Sequence, residues 1–285
     1  VDDSQVPLKN RILEINRETA RYFHAALKFP QAKGVLEYMR GRGLDQKTIT
    51  RFGLGWAPEG WDNLVKHLRK KGFSDAEMIA ACVASKSRTG NLIDFFRNRL
   101  MFPIIDVRGN VIAFGGRKLS EEDKGPKYIN TPETAVYVKS RNLYGLNYAK
   151  SSAFCEALAK SGKERFFILC EGNMDVISLH QAGFDNAVAP LGTALTETQV
   201  RIMSKYVSEV IIATDSDEAG RKAAKRSFEL LDSAGLNTKI VKIQGAKDPD
   251  EFIKKYGSKR FELLLFSSVS AVENELDEIL EKYDP

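Results

Sequence analysis

No apolar run in this 285-residue chain approaches the roughly 18 residues that cross a bilayer. The start, Val1-Asp2-Asp3-Ser4, lacks the basic and apolar regions of a signal peptide. No membrane association is therefore expected, and the chain reads as cytoplasmic. Cysteine is scarce: Cys82, Cys155 and Cys170 form no CxxC pair, and only His24, His67 and His180 could join them. An odd count of widely spaced cysteines excludes a disulfide framework and a structural zinc site, leaving buried reduced thiols. Tryptophan occurs only at 56 and 61, flanking Ala57-Pro58-Glu59-Gly60, where both rings read as packing around a turn.

Hydrophobic residues at 43% and charged residues at 28% give an ordinary globular balance, enough for two domains. The net charge of +5 conceals two characters. Residues 1–150 hold 26 Lys and Arg against 16 Asp and Glu, whereas residues 151–285 hold 17 against 22. A basic half suits a polyanion backbone, and an acidic half with clustered carboxylates suits divalent cations.

Residues 1–10 read as a linker. Apolar residues then recur at helical spacing through Ile12, Ile15, Tyr22, Ala26 and Phe29, interrupted by Thr19. Short helices are expected over Ala32–Met39 and Thr48–Phe52. From Leu100 the pattern changes to a β-hairpin turning at Arg108-Gly109-Asn110 and running into Gly115-Gly116-Arg117. Between 165 and 257 apolar strands alternate with helices: Phe166–Cys170, Met174–Ala182, Ala187–Ala189, a helix from a capping box at Thr196 and Gln199 to Tyr206, Val210–Ala213, Glu218–Ser233 and Lys239–Ile243. A helical segment is expected over Val269–Lys282. Such a βαβ series implies a mostly parallel sheet whose ligands bind beyond the carboxyl ends of its strands.

The acidic groups sit at those ends. Glu171-Gly172-Asn173-Met174-Asp175 follows one strand, Asp215-Ser216-Asp217 follows another, and Asp248-Pro249-Asp250 follows a fourth. Carboxylates gathered at one edge repel each other, and Mg²⁺ or Mn²⁺ offsets that cost with a preference for hard oxygen ligands. Taken singly, each cluster also fits a helix N-cap.

A Glu after one strand and a DxD after a later one resemble the Toprim module of topoisomerases, DnaG-type primases and some nucleases. The stretch from Glu171 to Phe184 resembles the primase signature EGYMDVISLHQAG, and Leu191-Gly192-Thr193-Ala194-Leu195-Thr196 resembles the primase LGTALT segment. Arg99-Leu-Met-Phe-Pro-Ile, Phe114-Gly-Gly-Arg117, Pro126-Lys127-Tyr128-Ile-Asn130 and Lys247-Asp248-Pro249-Asp250-Glu251 are similar to further blocks of the DnaG-type primases. Asn173 stands where that family usually has Tyr, and Ser216 where Gly is common. Neither departure removes a carboxylate.

The resemblance implies an α/β fold: an α+β basic subdomain over residues 11–163, a Toprim-type parallel-sheet domain over 164–257, and the start of a C-terminal helical subdomain over 258–285. It implies a DNA-directed RNA polymerase that makes short primers on single-stranded DNA from ribonucleoside triphosphates at the bacterial replication fork. Asp215 and Asp217 would hold metal, expected as two Mg²⁺ or Mn²⁺ ions, and Glu171 would be a ligand or manage the hydroxyl proton. Asp175, Asp248 and Asp250 would serve a second ion or support the first. Arg117, Lys127 and Lys139 would meet the triphosphate, and Arg99 and Arg141 the template backbone. Tyr128, Tyr137 and Tyr144 are candidates to stack on bases, with core packing the alternative, and His180 reads as a packed helix residue. Family members also carry a zinc-binding domain and a helicase-binding domain, neither of which is expected in this stretch. A Toprim nuclease and a non-catalytic single-strand binding module are the alternatives; the carboxylates speak against the second, because acids repel DNA.

Overall fold

The computed structural model describes residues 6–120, 125–215 and 217–270. The chain divides into two compact units, Val1–Val138 and Lys139–Pro285. The boundary lies some way before residue 163 because residues 139–163 pack on the parallel sheet: Tyr144 pairs with Ala189, and Asp185 accepts from Ala153 N and Phe154 N at 3.0 and 3.1 Å.

In the first unit, helix α1 (Val6–Ala26) begins inside the expected linker, with Pro7 in its first turn, where a missing N–H costs nothing. Residues 1–5 lie outside the described residues. One stripe of α1, Ile12, Ile15, Asn16, Thr19, Phe23 and Ala26, is buried. Helices α2 (Lys33–Gly41) and α3 (Gln46–Arg51) follow, then strand β1 (Gly55–Ala57). A Cβ at Gly55 would lie 2.5 Å from the carbonyl carbon of Phe23, so the bare glycine lets α1 cross directly over β1.

Helices α4 (Asn63–Lys70) and α5 (Asp75–Ala80) precede a small hairpin of β2 (Ala84–Lys86) and β3 (Leu92–Asp94). Strands β4 (Arg99–Ile105), β5 (Val111–Lys118) and β6 (Tyr128–Asn130) complete an antiparallel sheet of order β1-β4-β5-β6. The β4–β5 turn is held by Asp106, whose carboxylate accepts from Arg108 N and Asn110 N at 2.9 and 2.8 Å. Ile12, Ile15, Phe23, Leu64, Phe96 and Phe114 share the core beneath α1.

Two sequence expectations change in this unit. Trp56 is buried, but Trp61 is 66% exposed, with the Arg97 guanidinium over its ring at 4.5 Å. Cys155 and Cys170 are buried thiols, whereas Cys82 is only half-buried.

The second unit contains α6 (Leu146–Ala149), α7 (Ala153–Lys160), β7 (Phe166–Leu169), α8 (Asn173–Gln181), β8 (Ala187–Val188), α9 (Glu197–Met203), β9 (Glu209–Ile212), α10 (Glu218–Ser233), β10 (Asn237–Ile240), α11 (Pro249–Tyr256), α12 (Ser258–Phe266) and β11 (Val269–Ser270). The strand order is β11-β10-β9-β7-β8, parallel throughout except for β11. Every residue of β7 and β9 is buried, as a parallel strand covered on both faces requires. The helix expected from Val269 is corrected: Val269 and Ser270 pair antiparallel with Ile240 and Lys239, satisfying backbone groups that β10 would otherwise leave open. Residues 271–282 of that expectation lie outside the described residues. Helix α12 packs back on this unit through Phe261, which meets Phe184 and Phe252. No helix among the described residues is long and apolar enough to cross a membrane.

Candidate active site

The three acidic clusters follow β7, β9 and β10, which are adjacent in the sheet and run in the same direction. Their carboxylates therefore reach one edge. The chain leaves β7 through buried Cys170 to Glu171, then turns at Gly172 into α8. It leaves β9 through Ala213 to Asp215, whose backbone N–H donates to Glu171 Oε1 at 3.0 Å. This bond joins the first cluster to the second across 44 residues of sequence.

Gly220, in the first turn of α10, lies against that junction. A Cβ there would fall 2.2 Å from the Asp215 carbonyl oxygen and 2.9 Å from Glu171 Oε1. Asp217 caps α10 by accepting from Gly220 N at 2.8 Å, and Asp248 caps α11 by accepting from Glu251 N at 2.8 Å. Asp175 accepts from Gly172 N at 3.1 Å. The capping role that each cluster suggested singly is thus real. A cap of this kind engages one acceptor position of a group that has about four.

Asp250 differs from the others. It is buried, accepting from Ser178 Oγ at 2.6 Å and from Lys254 Nζ at 2.7 Å. It ties α11 to α8, with support of the edge as its visible work.

The carboxylates feel one another. Burial, joined by the charges of Glu171 and Asp248, pushes Asp215 up to about 6. Burial, joined by Asp248 and Asp215, pushes Asp175 up to about 8. Among the described residues no group of three His, Cys, Asp or Glu side chains is gathered as a metal cluster. The donor set itself, all hard carboxylate oxygens whose crowding a cation relieves, fits a divalent metal. Ser216 lies outside the described residues.

The basic candidates divide between the units. Arg117, on β5 of the first unit, has its guanidinium 4.3 Å from the Tyr38 ring centre and 5.8 Å from that of Tyr128. Lys127 is exposed next to β6. Lys139 and Arg141 form a 3₁₀ turn in the second unit, the unit that holds the carboxylates. Gln199 Nε2 holds this turn by donating to the carbonyls of Lys139 and Asn142 at 3.2 and 2.7 Å, and Thr196 Oγ1 lies 2.9 Å from that of Ser140.

Arg99 is a correction. It is buried, and its guanidinium donates to the carbonyls of Gly116 and Pro126, so it braces the backbone and offers no surface to a template. Tyr137 and Tyr144 are buried core residues, leaving Tyr128 as the exposed ring of the three. His180 is buried with Nε2 at 2.9 Å from the Ala187 carbonyl, a packed helix residue. Sequence reasoning missed Tyr38, for which no motif speaks. It saw Gln199 only as a cap; the polar residue on a buried helix face was the signal for more.

Residues 22–150 match the family model for the N-terminal domain of the DNA primase catalytic core, and residues 168–253 match a Toprim-like model. The DNA primase of Clostridium acetobutylicum is 41% identical over 274 residues, 95% of this chain and 43% of that relative. The chain thus spans less than half the length of that curated relative. The RNA polymerase domain of Mycobacterium tuberculosis primase DnaG superposes with a TM-score of 0.85 at 32% identity, covering 95% of this chain and 88% of that one. A DnaG primase catalytic domain bound to ssDNA superposes at 0.79 with 33% identity, covering 92% and 83%.

Proposed function

Because the chain belongs to the DnaG-type DNA primase family, we propose that it carries the nucleotidyl-transfer core that lays RNA primers on single-stranded DNA at the bacterial replication fork. The observation that carries this is the bond from Asp215 N–H to Glu171 Oε1, which assembles two repelling carboxylate clusters at the ends of adjacent parallel strands.

In the proposed reaction, a ribose hydroxyl oxygen bonds to the α-phosphorus of a ribonucleoside triphosphate. The bond from that phosphorus to its bridging oxygen breaks, pyrophosphate leaves, and the hydroxyl proton passes to a carboxylate or water. Little covalent chemistry falls to the protein, so positioning and charge stabilisation dominate. Asp215 and Asp217 would hold Mg²⁺ or Mn²⁺, with Glu171 as a further ligand or as the proton acceptor. Bound divalent ions would activate the attacking oxygen and neutralise the leaving one. Asp175 and Asp248 would support that set, and Asp250 would fix α11 beneath it. Arg117, Lys127 and Lys139 would take the triphosphate, with Arg141 on the template backbone. A replicative helicase would engage a separate C-terminal domain of the whole protein.

The test is incubation with a single-stranded template, ribonucleotides and Mg²⁺ or Mn²⁺. Template-dependent oligoribonucleotides are expected, lost in Asp215→Ala and Glu171→Gln and on chelation. Strand cleavage without synthesis overturns the proposal.

A further inference from the structure

Arg117 faces Tyr128 directly across the β5–β6 register, and Tyr38 approaches its guanidinium from α2. All three lie in the first unit. Among the described residues no carboxylate or carbonyl accepts from the Arg117 guanidinium. The side chain is half-buried and charged, and aromatic rings are its neighbours.

A guanidinium has two kinds of surface. Its faces are weakly hydrated and stack on aromatic rings, whereas its five N–H donors radiate from the edge in the plane of the group. A ring that meets one of those faces fixes the plane without using a donor. A free arginine side chain loses rotamer entropy when it binds a phosphate, a cost already met if the fork is held beforehand. A hydrogen-bonded carboxylate would hold the fork too, but it would occupy the donors and cancel the charge.

We infer that Tyr38 is a positioning residue for nucleotide recognition: its ring holds the plane of the Arg117 guanidinium before the triphosphate arrives and leaves the edge donors to the phosphates. This rests on the role proposed above for Arg117. Tyr38 touches no reacting atom in this scheme. Its hydroxyl is incidental to the effect, and its ring is not.

The experiment compares Tyr38→Phe, Tyr38→Leu, Arg117→Ala and the Tyr38→Leu/Arg117→Ala double variant, using ATP in template-dependent synthesis with Mg²⁺. KM and kcat are read separately, alongside Tm and affinity for an oligodeoxynucleotide. Tyr38→Phe should keep KM within about twofold. Tyr38→Leu should raise KM about three- to tenfold, the order of a cation–π contact, with kcat and oligodeoxynucleotide affinity little changed. In the Arg117→Ala background the same Leu change should add nothing. If Tyr38→Leu lowers Tm substantially, Tyr38→Gln takes its place.

A raised KM in Arg117→Ala together with an unchanged KM in Tyr38→Leu overturns the inference alone. So does a Tyr38→Leu effect of equal size in both backgrounds, because Tyr38 would then act on something other than Arg117. An unchanged KM in Arg117→Ala overturns the role of Arg117 and this inference with it.

Discussion

Arg99 donates to the Pro126 carbonyl from Nη1 and from Nη2, each at 3.1 Å, while Nη1 also reaches the Gly116 carbonyl at 3.2 Å. One buried guanidinium thus staples the strand that carries Arg117 to the segment that carries Lys127. A lysine keeps the charge but has no planar fork to span these acceptors. Arg99→Lys should therefore lower stability by roughly 1–3 kcal/mol, the cost of losing hydrogen bonds made by a buried charged donor. The salt dependence of oligodeoxynucleotide binding should stay the same. Arg99→Met, which removes the charge as well, should leave that slope unchanged too, whereas loss of a direct phosphate contact would reduce the log–log slope by about 0.7. Denaturant midpoints and binding titrations at several salt concentrations read the two effects separately.

Gly220 sits in a helix, where alanine is favoured over glycine by about 1 kcal/mol on propensity alone. The Asp215 carbonyl oxygen, which would lie 2.2 Å from the added methyl carbon, reverses that expectation. Gly220→Ala must push the start of α10 away from Asp215 and Glu171. Displacements near 1 Å at a catalytic site cost on the order of 100-fold in rate. Primer synthesis should fall by about that factor while far-UV circular dichroism stays near that of the parent chain. Parent-like activity with raised stability would show that the edge tolerates the shift.

The parallel sheet and its acidic edge were legible because both depend on local pattern: unbroken apolar runs such as Phe166–Leu169 make buried strands, and carboxylates follow them. Boundaries were less legible because long-range pairing sets them. Val269 and Ser270 are a strand only because the edge of β10 is open to them. The resemblance implies a template contact for Arg99 and says nothing of its burial. The sequence holds no sign that carbonyls of residues 116 and 126 converge on it. Tyr38 is invisible for the same reason: its partner lies on a strand 79 residues on.

Asp94 provides a pH test remote from the acidic edge. Its carboxylate is buried and accepts from Leu64 N and Val65 N at 2.9 Å each, holding the start of α4. Burial, only partly offset by those two bonds, pushes the group up to about 6 from 3.8. Between those values the folded chain binds more protons than the unfolded one, so stability falls as pH rises. The contribution is fully present below about pH 4 and is lost by about pH 6.5, with a size of up to about 3 kcal/mol. Urea midpoints from pH 3.5 to 7.5 should show this decline in the parent chain. In Asp94→Asn the decline should shrink by that amount, the remainder coming from Asp215 and Asp175, whose carboxyls burial also raises, with lower stability at pH 5, since an amide has one acceptor oxygen for two N–H donors. A decline of equal size in the variant would assign it to other groups.

Gln199 is fully buried, and its amide bonds the Lys139 and Asn142 carbonyls on one side and Thr196 N on the other. It therefore fixes the backbone of the turn that carries Lys139 and Arg141 as well as the start of α9. Gln199→Leu preserves volume but removes one donor from each of the Lys139 and Asn142 carbonyls, the first of which still accepts from Asn142 N, and takes away the side-chain acceptor of the N-cap N–H. The stability cost should be about 2–4 kcal/mol, given about 1–3 kcal/mol for each buried group that loses a partner and partial relaxation of the turn. Gln199→Glu should cost more at pH 8 than at pH 5, because the ionised acid cannot donate to either carbonyl and the protonated acid donates to one. Hydrogen exchange separates a local effect from a global one: opening should concentrate at the backbone amides from residue 139 through the first turn of α9, with the strands β7 and β9 protected as in the parent chain. Equal deprotection of those strands would mean that Gln199 supports the whole unit and that the turn has no special dependence on it.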